Sequence, residues 1–266
     1  MPGNSGRGMR ARRLAGVAVC AQIACAGTAL MAIPPQTGGG AAGTRQDPKA
    51  LEVLTEAIEA LGGTSKILGR ETIFVKRKIT NYEYPDPVQG TLTIYYKRPD
   101  KFRKEIDYPN LKHVEVYDGT RAWFDQGTGA KLRGEAITNS IRIGLGELDI
   151  PANYLDAELT YFNISQEIPG KLAHVVKVRK DGYTRELMFD IETHLLEVCG
   201  EYENPWGATD KMTRYDRYRP VDGVMVPYLE EKWRSNRMIT SSEIIEIQFN
   251  GAIDDALFEF PGENED

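Results

Sequence analysis

From about Thr72 to Phe249 the chain repeats one pattern, in which apolar and polar residues alternate with a period of two and turn residues separate the runs. Alternation sends one side of each run to a buried face and the other toward water, which specifies half-buried antiparallel strands. Ile73, Val75 and Ile79 alternate with Lys76, Lys78 and Thr80, and Leu92, Ile94 and Tyr96 alternate with Thr91, Thr93, Tyr95 and Lys97. Further strands are predicted at Phe102–Tyr108, Lys112–Asp118, Ala122–Gln126, Ile164–Ile168, Ala173–Lys180 and Thr184–Asp190. Four more are predicted at Leu195–Glu203, Lys211–Arg219, Met225–Trp233 and Ile239–Asn250. Asp118-Gly119, Asp181-Gly182 and Asp222-Gly223 each stand between two such runs, so neighbours in sequence are expected to be neighbours in the sheet. The predicted class is α+β, with a single antiparallel sheet of about 10–12 strands that curls into an open half-barrel because so many twisted strands cannot stay flat.

The sheet sits behind a different kind of sequence. Arg7, Arg10, Arg12 and Arg13 form a basic stretch free of acids, and Leu14 to Ile33 follow as an apolar run of small and branched residues. This is the pattern of an export signal, read as residues 1–32, with small residues at Ala24, Ala26, Gly27 and Ala29 offering cleavage sites. Residues 33–47, with Pro34, Pro35 and Gly38 to Gly40, read as a flexible leader. The alternative is lipid anchoring through Cys25, although Gln22 stands where a lipobox wants an aliphatic residue. An uncleaved anchor is a third reading, since the apolar run approaches the length that spans a bilayer. Arg12-Arg13 lacks the hydrophobic pair expected after a twin-arginine signal.

Without the leader's four arginines, the 33 basic and 39 acidic side chains of the chain become 29 against 39, a net of −10. Nucleic acid is therefore not an expected partner, because phosphate binding needs a concentrated basic face. Cys20 and Cys25 belong to the leader, which leaves Cys199 without an internal disulfide partner, and an exported domain must then rest on its core.

Before the sheet, Leu51, Leu54, Ile58 and Leu61 recur at helical spacing, with Asp47 placed to cap the start and Gly62 the end. Residues 48–261 read as one domain and 262–266 as an acidic tail. Within the domain, Ile137, Ile141 and Leu145 lie four apart on one face of a segment that also holds Thr138, Ile143 and Gly144. That composition makes a poor isolated helix, and the segment is expected to act as a lid whose order comes from packing. A short helical piece is expected over Ile150–Leu155, with Pro151 at its start.

No catalytic constellation is visible. His113, His174 and His194 fall in separate strands or turns without metal-ligand spacing, so no metal site is expected and surface positions are the simpler reading. No G-x-S-x-G elbow occurs, and Gly62-Gly63-Thr64-Ser65-Lys66 holds the letters of a phosphate loop in the wrong order and after a helix. Glu230-Glu231 and Asp254-Asp255 are adjacent, point to opposite faces of a strand and read as solvated. Arg103, Glu105 and Asp107 with Tyr215 are the one cluster whose convergence would suggest an enzyme. No cofactor is implied.

What remains is apolar and aromatic, and a curled sheet offers it a concave face as a natural apolar pocket. The residues expected to line that groove are Leu92, Ile94, Tyr96, Trp123, Phe189 and Trp233. A register slip of one residue would send any of these sets to the other face.

Several short stretches carry a resemblance, in order: Glu59-Ala60-Leu61-Gly62-Gly63, Tyr96-Lys97-Arg98-Pro99-Asp100-Lys101 and Tyr117-Asp118-Gly119-Thr120-Arg121-Ala122-Trp123. Phe189-Asp190-Ile191-Glu192-Thr193-His194-Leu195-Leu196 follows, then Tyr218 to Pro227 and Ile253 to Pro261. In these stretches the chain resembles the outer-membrane lipoprotein-sorting family with its LolA-like fold. The resemblance implies a half-barrel covered by helices on its concave face, binding a lipid or the acyl chain of a lipoprotein in the periplasm or envelope, with no catalysis. The carrier's pocket-locking arginine corresponds to no single Arg here. A non-catalytic interaction module of an envelope complex is the alternative, and a small-molecule enzyme on the same fold is the third reading.

Overall fold

The computed structural model describes residues 45–134, 150–180, 182–202 and 209–262. Helix α1, Pro48–Ala60, begins where Asp47 accepts hydrogen bonds from the amides of Lys49 and Ala50, and Pro48 occupies the first helical position, where no amide donor is needed. It ends at Leu61. Gly62 and Gly63 then take positive φ of 120° and 90°, which lets the chain turn sharply into α2, Thr64–Leu68. A Cβ at Gly62 would collide with the carbonyl oxygen of Gly223, so the helix end and a distant hairpin are in backbone contact.

Among the described residues thirteen strands form one sheet. They are β1 Thr72–Asn81, β2 Val88–Lys97, β3 Lys101–Tyr108, β4 Leu111–Tyr117, β5 Ala122–Asp125, β6 Lys131–Leu132 and β7 Glu158–Ser165. The remainder are β8 Ala173–Lys180, β9 Tyr183–Asp190, β10 Leu196–Tyr202, β11 Thr209–Val221, β12 Val224–Arg234 and β13 Arg237–Phe249. The order across the sheet is β6-β5-β4-β3-β2-β1-β13-β12-β11-β10-β9-β8-β7, with every pairing antiparallel. Two meanders are thus joined where the first strand pairs with the last. The sequence reading places a strand at Ile164–Ile168, whereas β7 runs from Glu158 to Ser165, and a 3-10 turn at Ala152–Tyr154 lies within the predicted helical piece.

The face that carries α1 is the concave one. Ala152 packs in a cluster that reaches Tyr117 and Ala122 on β4 and β5, while Tyr154, in the same turn, packs in one that reaches Leu159 on β7. β4 and β7 are ten steps apart in strand order, about 48 Å on a flat sheet at ~4.8 Å per strand. A single turn can join both clusters only if the sheet curls round it. The result is an open half-barrel.

The convex face is apolar at one end too. Val114, Val116 and Trp123 are buried there because the chain after β13 crosses the outside of the sheet as a strap and drops Phe258, 1% exposed, onto them. The strap is tied down strand by strand: the Thr72 hydroxyl donates to the Gly251 carbonyl, Lys97 and Lys101 pair with Asp255, and Arg103 and Trp123 donate to the carbonyls of Leu257 and Phe258.

Candidate functional site

Register fixes the inner face residue by residue. Val75 on β1 stands opposite Ile94 on β2, which stands opposite Lys104 on β3, which stands opposite Glu115 on β4. One step along, the row reads Arg77, Leu92, Ile106 and His113. Leu92, Ile94 and Ile106 are half-buried and make an apolar strip with Phe102. Cations flank it on both sides.

Those cations belong to a band that crosses the sheet. Arg77, only 6% exposed, places Nη1 3.3 Å from Glu230 Oε2 on β12 and 3.4 Å from the Ser242 hydroxyl on β13. Lys232 Nζ lies 3.6 Å from the other Glu230 oxygen, while Lys104 and Arg133 each come within 3.7 Å of Glu115. Burial pushes the Glu230 carboxyl up, but Arg77, Lys232 and Lys104 together pull harder and hold it below the ordinary carboxylate range. Lys104 acts on it from a strand four steps away, which the curl makes possible. The Arg133 guanidinium lies 3.7 Å from the centre of the Phe124 ring. His113 is buried, and burial is the main cause that lowers its pKa, with Lys104 and Arg133 acting the same way against Glu115.

The other half of the inner face is closed. Val53, Leu54 and Ala57 of α1 pack over Val176, Val178, Leu187 and Phe189. Arg185 there donates to the Tyr154 hydroxyl at 2.8 Å and to Glu201 at 3.1 Å.

The expected groove residues divide between the faces. Leu92, Ile94 and Tyr96 share the inner face, with Tyr96 buried in the cluster under α1 and α2. Phe189 is inner but sealed at 0% exposure beneath α1. Trp123 and Trp233 project from the outer face: Trp123 lies under the strap, and Trp233, opposite Met212, stacks under Arg214 with ring centre and guanidinium carbon 4.8 Å apart. Toward the end of β12, after the inward Val226 and Tyr228, the inner positions are taken by Glu230 and Lys232, which locally reverses the usual polarity of an alternating strand. Ile137, Ile141 and Leu145 lie outside the described residues, as do the predicted signal, most of the leader and the acidic tail.

Two expectations are corrected. Glu230 is not solvated, with 19% of its side chain exposed and two cations on its carboxylate. His113 is not a surface residue, being 7% exposed. Arg103 and Glu105 form an ion pair at 2.6 Å on the outer face, Asp107 is exposed, and Tyr215 faces inward opposite Glu230, so that cluster does not come together. Sequence reasoning missed Arg77, Lys104 and Glu115. The available signal was the gap in the alternation Ile73, Val75, Ile79, where Arg77 holds the inward position. Among the described residues no group of three or more His, Cys, Asp or Glu could hold a metal ion, and no helix is long and apolar enough to cross a membrane. On the outer face a pocket of about 270 Å³ opens between β1, β2, β13 and the strap, lined by Phe74, Tyr95, Glu246 and Ile253 among others.

Comparison with solved structures gives the fold a name. A DUF1329 family protein from Desulfovibrio piger superposes with a TM-score of 0.57 at 11% identity, covering 79% of this chain and 97% of that one. An outer-membrane lipoprotein-sorting protein domain from Vibrio parahaemolyticus gives 0.56 at 10%, covering 79% and 96%. The fold is LolA-like. A LolA-superfamily protein from Nitrosomonas europaea, at 0.54 and 12% identity, covers 79% of this chain and 97% of its own. No protein-family model matches the sequence, and no curated protein does.

Proposed function

We propose that the protein is an exported carrier or sensor that binds a lipid, or the acyl chain of a lipoprotein, against the inner face of its half-barrel. One observation carries this reading: Leu92, Ile94 and Ile106 form a half-buried apolar strip on the concave side of an open sheet, with Ile94 at the edge of the cluster that includes Ile58 of α1. The LolA-like fold supports it, since one of the superposing proteins is a lipoprotein-sorting domain. The reading places the protein in the periplasm or envelope after removal of the leader, with Cys25 lipidation as the alternative, and involves no catalysis.

The lid belongs to the same proposal. β6 and β7 are the two edges of the sheet, so the chain between them joins one rim of the half-barrel to the other, and Ile137, Ile141 and Leu145 lie in that connection. Ligand and lid would then compete for one apolar strip. A fluorescent fatty acid is expected to bind saturably and reversibly, to be displaced by lipid extracted from the native envelope, and to lose affinity in Leu92→Asp. No saturable binding to the folded protein would refute the carrier reading and favour an interaction module. Ile141→Asp is expected to alter the affinity without unfolding the sheet.

A further inference from the structure

We infer that the inner face selects an amphiphile with an anionic head, held between Arg77 on β1 and Lys104 on β3 while its chain lies along Leu92, Ile94 and Ile106. The inference rests on the carrier reading and deepens it by naming the ligand's charge.

The first support is sign. The band contains Arg77, Lys104, Arg133 and Lys232 against Glu115 and Glu230, a surplus of two positive charges in a chain whose net charge is −6.

The second support is a shortage of acceptors. Nε of Arg77 and Nε of Arg133 are buried without a hydrogen-bond partner, and a guanidinium nitrogen can only donate. Buried donors of this kind are ordinarily satisfied, and the group that would satisfy them brings acceptor oxygens. Arg77 is more than nine-tenths buried, and the carboxylate it pairs with, Glu230, is also held by Lys232. Lys104 and Arg133 divide Glu115 in the same way, each at 3.7 Å, which is long for a charge-assisted bond and leaves both cations short of a close partner there.

The third support is position. Arg77 stands opposite Leu92, and Lys104 stands opposite Ile94, so the two cations bracket the apolar strip from neighbouring strands on the same face. An oxyanion placed between them would have its hydrocarbon tail directed along the half-buried apolar residues of the strip. A carboxylate and a phosphate monoester share the needed chemistry, the first as a free fatty acid and the second as a lipid headgroup.

The test compares ligands with one chain and different heads by titration calorimetry: dodecanoate, dodecyl phosphate, dodecanol and dodecyltrimethylammonium, each below its micelle concentration. The anions are expected to bind roughly tenfold or more tighter than the alcohol, as a charge-assisted hydrogen bond gained over a neutral one implies. The ammonium compound should be the weakest. A preference for dodecanoate assigns the free acid, and one for dodecyl phosphate assigns the headgroup. Lys104→Met should bring the affinities for anion and alcohol together. Since Arg77→Met alone strands Glu230, the pair is removed together in Arg77→Met/Glu230→Met, with the same convergence expected. Equal affinity for anion and alcohol in the wild type overturns the headgroup inference while the carrier reading stands. An undiminished anion preference in both variants overturns the assignment to Arg77 and Lys104. Failure of every chain to bind removes the carrier reading itself.

Discussion

Removing Phe258 should release the strap from the convex face before it unfolds the sheet. The ring is 1% exposed among Val114, Val116, Trp123 and Ala130, and truncating a buried Phe to Ala costs about 3–5 kcal/mol. The remaining ties are individually weaker, among them the Thr72–Gly251 bond and the partly buried Ile253, Leu257 and Phe260 on the same cluster. The bonds from Arg103 and Trp123 to the carbonyls of Leu257 and Phe258 contribute about 0.5–1.5 kcal/mol each, and the Asp255 pairs with Lys97 and Lys101 lie in solvent, where such pairs contribute at most about 1 kcal/mol. Each strap residue held in one conformation costs about 1–2 kcal/mol of backbone entropy, so without the ring those ties fall short and the strap should come free. Phe258→Ala is therefore expected to lower the urea unfolding free energy by about 3–5 kcal/mol while leaving a domain of ordinary stability folded. The decisive readout is local. In a background carrying Phe at positions 206 and 233, the emission of Trp123, 4% exposed in the native fold, should shift to the red under native conditions, and amides after Gly251 should lose exchange protection. If Trp123 stays blue and those amides stay protected, Phe258 is not what holds the strap and the reasoning fails.

Three further outcomes are expected. Gly90→Ala should cost about 1–3 kcal/mol by overpacking, because a Cβ there would meet the Asp107 carbonyl and sit 2.5 Å from the Tyr108 ring; an unchanged urea midpoint would refute this. Between pH 7 and pH 5.5 stability should fall, since the unfolded chain binds a proton at His113 near pH 6.5 that the folded one, with burial and its lowered pKa, resists; the loss begins as pH drops below about 6.5, and His113→Gln should flatten that part of the profile. N-terminal sequencing of protein from its own envelope should begin between about Gly27 and Gly43 if the leader is a cleaved signal, whereas an intact Met1 would end that reading.

The parts of the fold that were legible in the sequence are those that local periodicity decides. Helix α1 could be read because its apolar spacing, Asp47 cap and glycine exit all act within a few residues, and the hairpins because Asp118-Gly119 and Asp222-Gly223 set their own turns. Alternation also grouped Leu92, Ile94 and Tyr96 correctly on one face. It could not choose a face for Trp123, since Tyr117 and Ala122 are buried on one side of β4 and β5 and Val114 and Val116 on the other, and only the strap, a remote segment, explains the second. It misled at Trp233 because β12 turns Glu230 and Lys232 inward, where a simple reading expects hydrocarbon. The pairing of β1 with β13 left no local trace at all. The charged band was hidden for the same reason: its members come from five separate segments and are ordinary surface residues until the sheet brings them together.

The union of the first strand with the last has a kinetic meaning. The Glu71 amide donates to the Asn250 side chain across 179 residues of chain, and the seam it borders cannot close until nearly the whole domain is available. Each meander forms from short-range hairpins, but the central junction demands a large loop closure, the kind of contact that slows folding. For a chain threaded outward from its N-terminus, completion would wait on the last strand to emerge. A late-closing seam would keep such a polypeptide pliable for as long as it was in passage, and the half-barrel would be finished only once both ends of the domain were present.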